Sequence, residues 1–240
     1  MPEPELRHQK AAVPSAFDRV ARRYDLLTGL NPGYNKHLRW SAERMGLEPS
    51  GPQDLLDLCC GTGLSTRALV QVYPHARVTG LDASAGMLAL AARKPWAAAV
   101  RWLCGDAMDP AASGAEGPFD GVLMAYGIRN MPDPDLCLAR LFQLLKPGGV
   151  VCFHEYSVND SRRARWIWNA VSLGIIIPAG IVTSPGSDIY RYLRRSVNEF
   201  DGAAAFQSRL ARAGFTAQHR HTMDGWQSGI VHSFVARKPA

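Results

Sequence analysis

Five short apolar runs recur along the chain: "LLDLCC" (55–60), "ARVTGLD" (76–82), "VRWLCGD" (100–106), "FDGVLMAYG" (119–127) and "GVVCFHEYS" (149–157). Helical stretches are expected between them at 64–73, 84–93 and 134–145, while 107–118 reads as a loop. A strand that is apolar at nearly every position has both faces covered, which in practice means a parallel sheet between two layers of helices. Right-handed crossovers then wind the chain outward in both directions from a switch point. The expected fold is α/β, a doubly wound Rossmann-like sheet. Two terminal strand candidates, 215–222 and 229–237, bring the sheet to seven strands. One such domain accounts for 240 residues.

Two helical regions fall outside the alternation. At 15–28, Phe17, Val20, Tyr24 and Leu27 form one apolar stripe, Ser15 is the expected N-cap, and "NPGYN" (31–35) separates this helix from a second one, so 14–48 reads as an N-terminal helical cap. After strand five the chain does not return promptly to the sheet, and 158–200 reads as a helical insertion forming a lid. Its longest apolar run, "VSLGIIIPAGIV" (171–182), has 12 residues around a proline, too short to cross a bilayer. The opening "MPEPELRHQKAAVP" reads as a polar tail rather than a signal peptide. Five cysteines, four of them in or at the end of strand runs, have no metal-ligand spacing and read as small core residues in a reducing cytoplasm. No metal is expected.

The first strand run ends in "CCGTGLST". Glycines there let backbone approach a ligand, and the helix that follows presents free N–H groups. Acidic residues stop the first three strands, at Asp57, Asp82 and Asp106. A carboxylate at the end of the second strand suits the two hydroxyls of a ribose, although a helix N-cap is an equally simple role for Asp82. Thr66 occupies the third position of the dinucleotide glycine fingerprint, so nothing in the loop favours a pyrophosphate. Three carboxylates and no phosphate cradle fit an adenosine carrier with an amino group. S-adenosylmethionine has that character.

The stretches "LLDLCCGTG", "VTGLDAS", "GDAM", "FDGVLMAYGIRNMPD" and "LLKPGGVVCFHEYS" together resemble class I S-adenosylmethionine-dependent methyltransferases. "FDRVARRYD" (17–25), "YGIRNMPD" (126–133) and "SDIYRYLRRSV" (187–197) look most like the ubiquinone/menaquinone biosynthesis C-methyltransferases. The resemblance implies that Asp57, Gly61, Thr62 and Gly63 hold the methionine end of the cofactor, Asp82 the ribose, Ala83 and Met87 the adenine faces, and Asp106 with Ala107 the adenine edge. Tyr24 would close over the cofactor, and Tyr126 with Gly127 would floor the site beside the transferred methyl. The chain departs from that family where the acceptor would lie: Thr28 stands for an expected Asn, Asn31-Pro32 occupies a serine region, and His154 precedes Glu155 where an aliphatic residue is usual.

A phenolic acceptor must lose a proton before its ring carbon attacks a methyl group. Arg129 would stabilise the phenolate or hold a water that takes the proton, or else it is a salt bridge fixing the loop after strand four. His154 and His37 are the general-base candidates, and Glu155 reads as a structural hydrogen-bonding group. The expected activity is C-methylation of an apolar aromatic, quinol-type or isoprenoid-linked small molecule. O-methylation of a lipid or secondary metabolite, and a non-catalytic cofactor-binding module, are the alternatives. The net charge of +6 admits nucleic acid, but "AYGIRN" after strand four has neither the Pro-Pro-aromatic motif of amino-group methylation nor a cysteine for cytosine chemistry. No nucleic-acid partner is expected. Arg162, Arg163, Arg165, Arg191, Arg194 and Arg195 around the lid would allow peripheral membrane contact by a cytoplasmic enzyme, and a homodimer is the other partner considered.

Overall fold

A computed structural model describes residues 18, 28–29, 31–184, 186 and 188–240. Most of the helix expected over 15–28, Tyr24 included, lies outside the described residues. Seven strands form one sheet: β1 Asp54–Leu58, β2 Arg77–Asp82, β3 Val100–Cys104, β4 Phe119–Ala125, β5 Leu145–Tyr156, β6 Thr216–Thr222 and β7 Val231–Arg237. Their spatial order is β3-β2-β1-β4-β5-β7-β6, with β7 antiparallel to β5 and to β6 and the other pairs parallel. The order reverses between β1 and β4, which opens a crevice at their carboxyl ends. Side-chain alternation assigns the faces. Leu56 and Leu58 pack with Val122, Leu138, Leu141 and Phe206 on one side, while Leu55 packs with Leu123, Cys152, Leu38 and Leu69 on the other.

Helices α1 (Tyr34–Glu43), α2 (Leu64–Val72), α3 (Ala85–Ala91), α4 (Pro134–Leu144) and α8 (Ala203–Arg212) cover the sheet. Asp133 caps α4 by accepting from Leu136 N–H at 3.0 Å, with Pro134 in the first turn where a missing N–H costs nothing. The polar run "TAQHRHT" of β6 is almost wholly exposed at the sheet edge, as its composition requires. Of the cysteines, Cys60, Cys137 and Cys152 are core residues, but Cys104 is exposed because β3 is the opposite edge.

The insertion after β5 corrects one expectation. The run 171–182 is not a short isolated segment: α5 (Arg162–Val171), a π turn over Ser172–Ile176 and α6 (Ile177–Thr183) join into 22 continuous helical residues. By length and composition this helix is long and apolar enough to cross a membrane. One face is nevertheless stitched to the domain, because Trp168 is fully buried among Tyr156, Val197 and Ile230. Helix α7 (Ile189–Glu199) runs beside it, and Gly180 is where the two come closest: a Cβ there would sit 2.1 Å from the Tyr190 ring.

Candidate active site

Backbone and side chains together shape the loop after β1. Cys59, Gly61 and Gly63 all take positive φ (60°, 54° and 82°), and Gly63 N–H closes the turn on Cys60 O at 2.8 Å. At Gly63 a Cβ would lie 2.9 Å from Trp96 and 3.0 Å from Trp102, so both packing and φ demand glycine. At Gly61 a Cβ would meet nothing within 4 Å, which leaves an open cradle above the loop. That cradle belongs to a cleft bounded by Tyr34 and Leu38 of α1 and by Ala125 of β4.

Asp57 lies beneath the loop, fully buried on the face it shares with Leu55. Its Oδ2 accepts from Ser65 Oγ at 2.8 Å and from Thr66 Oγ1 at 2.5 Å, whereas Oδ1 is buried with no partner among the described residues. Burial pushes its pKa up to about 7, against the pull of the two hydroxyls. A half-satisfied buried carboxylate is an acceptor that an ammonium group would complete, so the residues fit the methionine end of S-adenosylmethionine. Thr66, at the third fingerprint position, spends its hydroxyl on Asp57. That is the physical reason the loop offers no third glycine.

Asp82 ties two strand ends together. Its Oδ2 accepts from Gly61 N–H and its Oδ1 from Ser84 N–H, both at 2.8 Å. The helix-cap role considered for it belongs instead to Ser84, whose Oγ accepts from Met87 N–H at 3.1 Å. Met87 and Ala107 are buried, while Ala83 and Asp106 are exposed at the same rim. Asp106 Oδ1 accepts from Met108 N–H at 2.8 Å. Asp18, three residues after the expected N-cap Ser15, has an Oδ1 that accepts from Ser84 Oγ and Gly86 N–H beside this rim. Lys94 Nζ, unforeseen in the sequence, donates to Thr62 O at 2.7 Å.

Across the crevice, Tyr126 follows the end of β4 and is held at φ 57°. Its ring stacks on Tyr34 at 5.8 Å and lies 4.9 Å from Tyr156. Gly127 approaches Cys59 so closely that a Cβ would sit 2.9 Å from its side chain. Arg129 and Glu155 form a buried ion pair, Nη1 to Oε1 at 2.7 Å, so the loop-holding salt bridge exists. Burial opposes the charge on Arg129 most strongly, but Glu155, Tyr192 and Tyr156 together outweigh it and raise its pKa. Nη1 also donates to Tyr126 O at 2.7 Å, and Nε reaches Ser196 Oγ at 3.4 Å. Among the described residues, Nη2 has no hydrogen-bond partner. Asn130 donates to Tyr126 O and accepts from Tyr192 Oη at 2.9 Å, which docks α7 on the turn after β4.

Neither histidine is placed to be a general base. His154 is fully buried, with Nε2 2.9 Å from Tyr126 Oη and Nδ1 2.7 Å from Ser41 Oγ. Burial pushes its pKa down to about 3, so it is neutral and has no open nitrogen facing an acceptor. His37 is engaged at both nitrogens, with Gln227 Oε1 at 2.6 Å and Asp224 Oδ1 at 2.5 Å, and pins α1 to the β6–β7 connection.

This strand order, the glycine loop at the switch point and the buried acid beneath it define a class I S-adenosylmethionine-dependent methyltransferase. The family model described as the ubiE/COQ5 methyltransferase family matches residues 5–238, and the chain belongs to that family. A ubiquinone/menaquinone biosynthesis C-methyltransferase, UbiE, of Methylobacterium nodulans is 34% identical over 92% of this chain and 89% of its own length. A demethylmenaquinone methyltransferase of Thermus thermophilus is 33% identical over 85% of this chain and 92% of its own. The fold is shared with a Haemonchus contortus phosphoethanolamine N-methyltransferase solved with S-adenosyl-L-methionine, at a TM-score of 0.65 and 19% identity over 93% of this chain and 57% of that one.

Proposed function

We propose that the acceptor is an apolar quinol-type aromatic ring bearing an isoprenoid tail, and that the methyl group goes to a ring carbon. The observation that carries this reading is a fixed cation set in an aromatic floor. The Arg129 guanidinium carbon is 5.9 Å from the Tyr126 ring centre and 5.7 Å from that of Tyr156, beside the glycine loop. When bound, S-adenosylmethionine supplies an electrophilic methyl group on a positively charged sulfur. Asp57 and the Gly61–Gly63 backbone hold its amino-acid end, and Asp82, Ala83, Met87, Asp106 and Ala107 hold the nucleoside. Tyr24, outside the described residues, is assigned to closing over it.

Arg129 uses Nη2 to lower the cost of a phenolate oxygen, because a guanidinium keeps its charge at any working pH. Once the phenol's proton has passed to water, the phenolate delocalises its charge to the ring carbon that would attack. That carbon would displace S-adenosylhomocysteine and then lose its hydrogen to water as the ring regains aromaticity. Tyr126 and Gly127 align that ring, and alignment supplies much of the rate of an in-line displacement. The relatives named for ubiquinone and menaquinone biosynthesis support this acceptor class. The test uses methyl-labelled cofactor with a short-chain prenylated naphthoquinone in both redox forms. The hydroquinone should take label and the quinone should not, since only the hydroquinone has a proton to lose. Label in a simple phenolic ether instead would favour O-methylation.

The same reading places a cytoplasmic enzyme at a membrane surface. Trp166 (72% exposed), Leu173, Ile175, Ile181 and Val182 (79%) form an apolar stripe along the outer face of α5 and α6. Between Ser161 and Ser187 the chain has no acidic residue, and its only charges are Arg162, Arg163 and Arg165 in the first turn. Cations at one end and exposed apolar side chains along the rest match the headgroup and acyl layers of an anionic bilayer. Because Trp168 is buried against the domain and Gly180 against Tyr190 of α7, the helix would lie on the bilayer without crossing it.

A further inference from the structure

Behind the aromatic floor, buried polar side chains from elements distant in sequence form a single file. His154 Nε2 lies 2.9 Å from Tyr126 Oη, and His154 Nδ1 lies 2.7 Å from Ser41 Oγ. Ser41 Oγ is 2.7 Å from Ser233 Oγ, and Arg44 Nη1 donates to Ser233 Oγ at 2.9 Å. His154, Ser41 and Ser233 are all fully buried, whereas Tyr126 and Arg44 at the two ends are partly open.

The file has a direction, and Arg44 sets it. A guanidinium only donates, so Ser233 Oγ accepts from it. The other polar atom hydrogen-bonded to Ser233 Oγ among the described residues is Ser41 Oγ. If Ser41 donated to Ser233, the Ser233 hydrogen would be stranded in a site water does not reach, which native structures avoid. Ser233 therefore donates to Ser41, and Ser41 has His154 Nδ1 as its remaining acceptor. Nδ1 must be bare and the ring hydrogen must sit on Nε2, where it is donated to Tyr126 Oη. The low pKa of His154, set by burial first and then by His37, Arg44 and His232, agrees with a neutral ring.

We propose that Arg44, Ser233, Ser41 and His154 are positioning residues, a one-way file that makes Tyr126 Oη a hydrogen-bond acceptor from His154. The inference rests on the reading of Tyr126 as the floor of the methyl-transfer site. It has two consequences. A hydrogen bond accepted at Oη fixes the plane of the Tyr126 ring, so the file orients the floor beside the Arg129 guanidinium. The file is also closed to protons, because its far end is a permanent cation that cannot take one. His154 thus orients the floor and removes nothing from the substrate.

Nitrogen NMR of the whole protein labelled at histidine, with the His154 signals assigned by their loss in His154→Gln, reads the direction without any acceptor. Nε2 should carry the proton and Nδ1 should be bare from about pH 5 to about pH 8, where an unperturbed histidine would titrate. A proton on Nδ1, or a charged ring in that window, overturns the proposal. The role is read on turnover of the hydroquinone. His154→Leu should lower kcat roughly tenfold, the scale for a slightly misplaced floor, with KM for S-adenosylmethionine within about twofold. His154→Gln, which keeps an N–H near the Nε2 position, should recover most of that loss. Equal kcat for the two variants, each shown by calorimetry to bind S-adenosylhomocysteine, overturns it as well. A wild-type protein that binds cofactor but methylates no quinol would refute the acceptor reading, and the NMR result would still decide the direction of the file.

Discussion

Asp57 carries the clearest linkage between structure and pH. Its carboxyl binds a proton more tightly folded (pKa about 7) than unfolded (3.8). Stability of the ligand-free protein therefore falls as pH rises from about 4 to about 7, by an amount on the order of 4 kcal/mol at most. Asp57→Asn should remove that slope in denaturant unfolding, and a slope that persists would place the linkage elsewhere. A bound ammonium reverses the preference, so S-adenosylhomocysteine affinity should fall as pH drops below about 7, by up to tenfold per unit, and the variant should lose this dependence. Arg129→Lys keeps a charge beside Glu155 but loses the planar fork. Turnover should fall roughly tenfold or more while cofactor affinity barely changes. Near-normal turnover with a lowered Tm would reduce Arg129 to scaffold. Asp82 could be found in the sequence because it ends an apolar strand run, Asp57 because it interrupts one just before the glycine loop, and Arg129 because it follows another. The contacts of Ser41, Ser233 and Asp18 could not: they span 113, 192 and 66 residues, where local pattern carries no signal.

At the scale of elements, Gly180 sets how closely α6 packs on Tyr190 of α7. Gly180→Val would drive a side chain into the Tyr190 ring and part α6 from α7. Limited proteolysis should then cut within 162–199 faster, with S-adenosylhomocysteine affinity unchanged; protection equal to wild type would mean the lid is not held there. The buried strands were legible because continuous apolar runs of strand length bounded by turns leave few other folds. The start of β5 was not. It begins at Leu145 rather than Gly149, through "LKPGG", because β4 and β5 pair Phe119 with Leu145 across a register irregularity. The π turn was equally hidden, since a 12-residue run around Pro178 looks like a break until packing on Trp168 and α7 carries the helix through it.

The parallel half of the molecule follows from strand–helix alternation and the handedness of crossovers. The placing of β7 between β5 and β6 does not. Alternation also cannot show which face of the lid stays bare. That stripe makes the whole protein a test object. It should sediment with vesicles rich in anionic lipid, less so at high salt, and Arg162, Arg163 and Arg165 changed to Glu should abolish this without altering turnover of a soluble short-chain acceptor. Self-association by light scattering with no vesicle binding would instead assign the stripe to a second copy of the chain. The account as a whole stands on where the methyl group goes. The most direct measurement is carbon NMR of the product from carbon-13-methyl S-adenosylmethionine and a prenylated demethylnaphthoquinol. The account predicts the label on a ring carbon. A labelled oxygen, or an unlabelled quinol from protein that binds the cofactor, would contradict it.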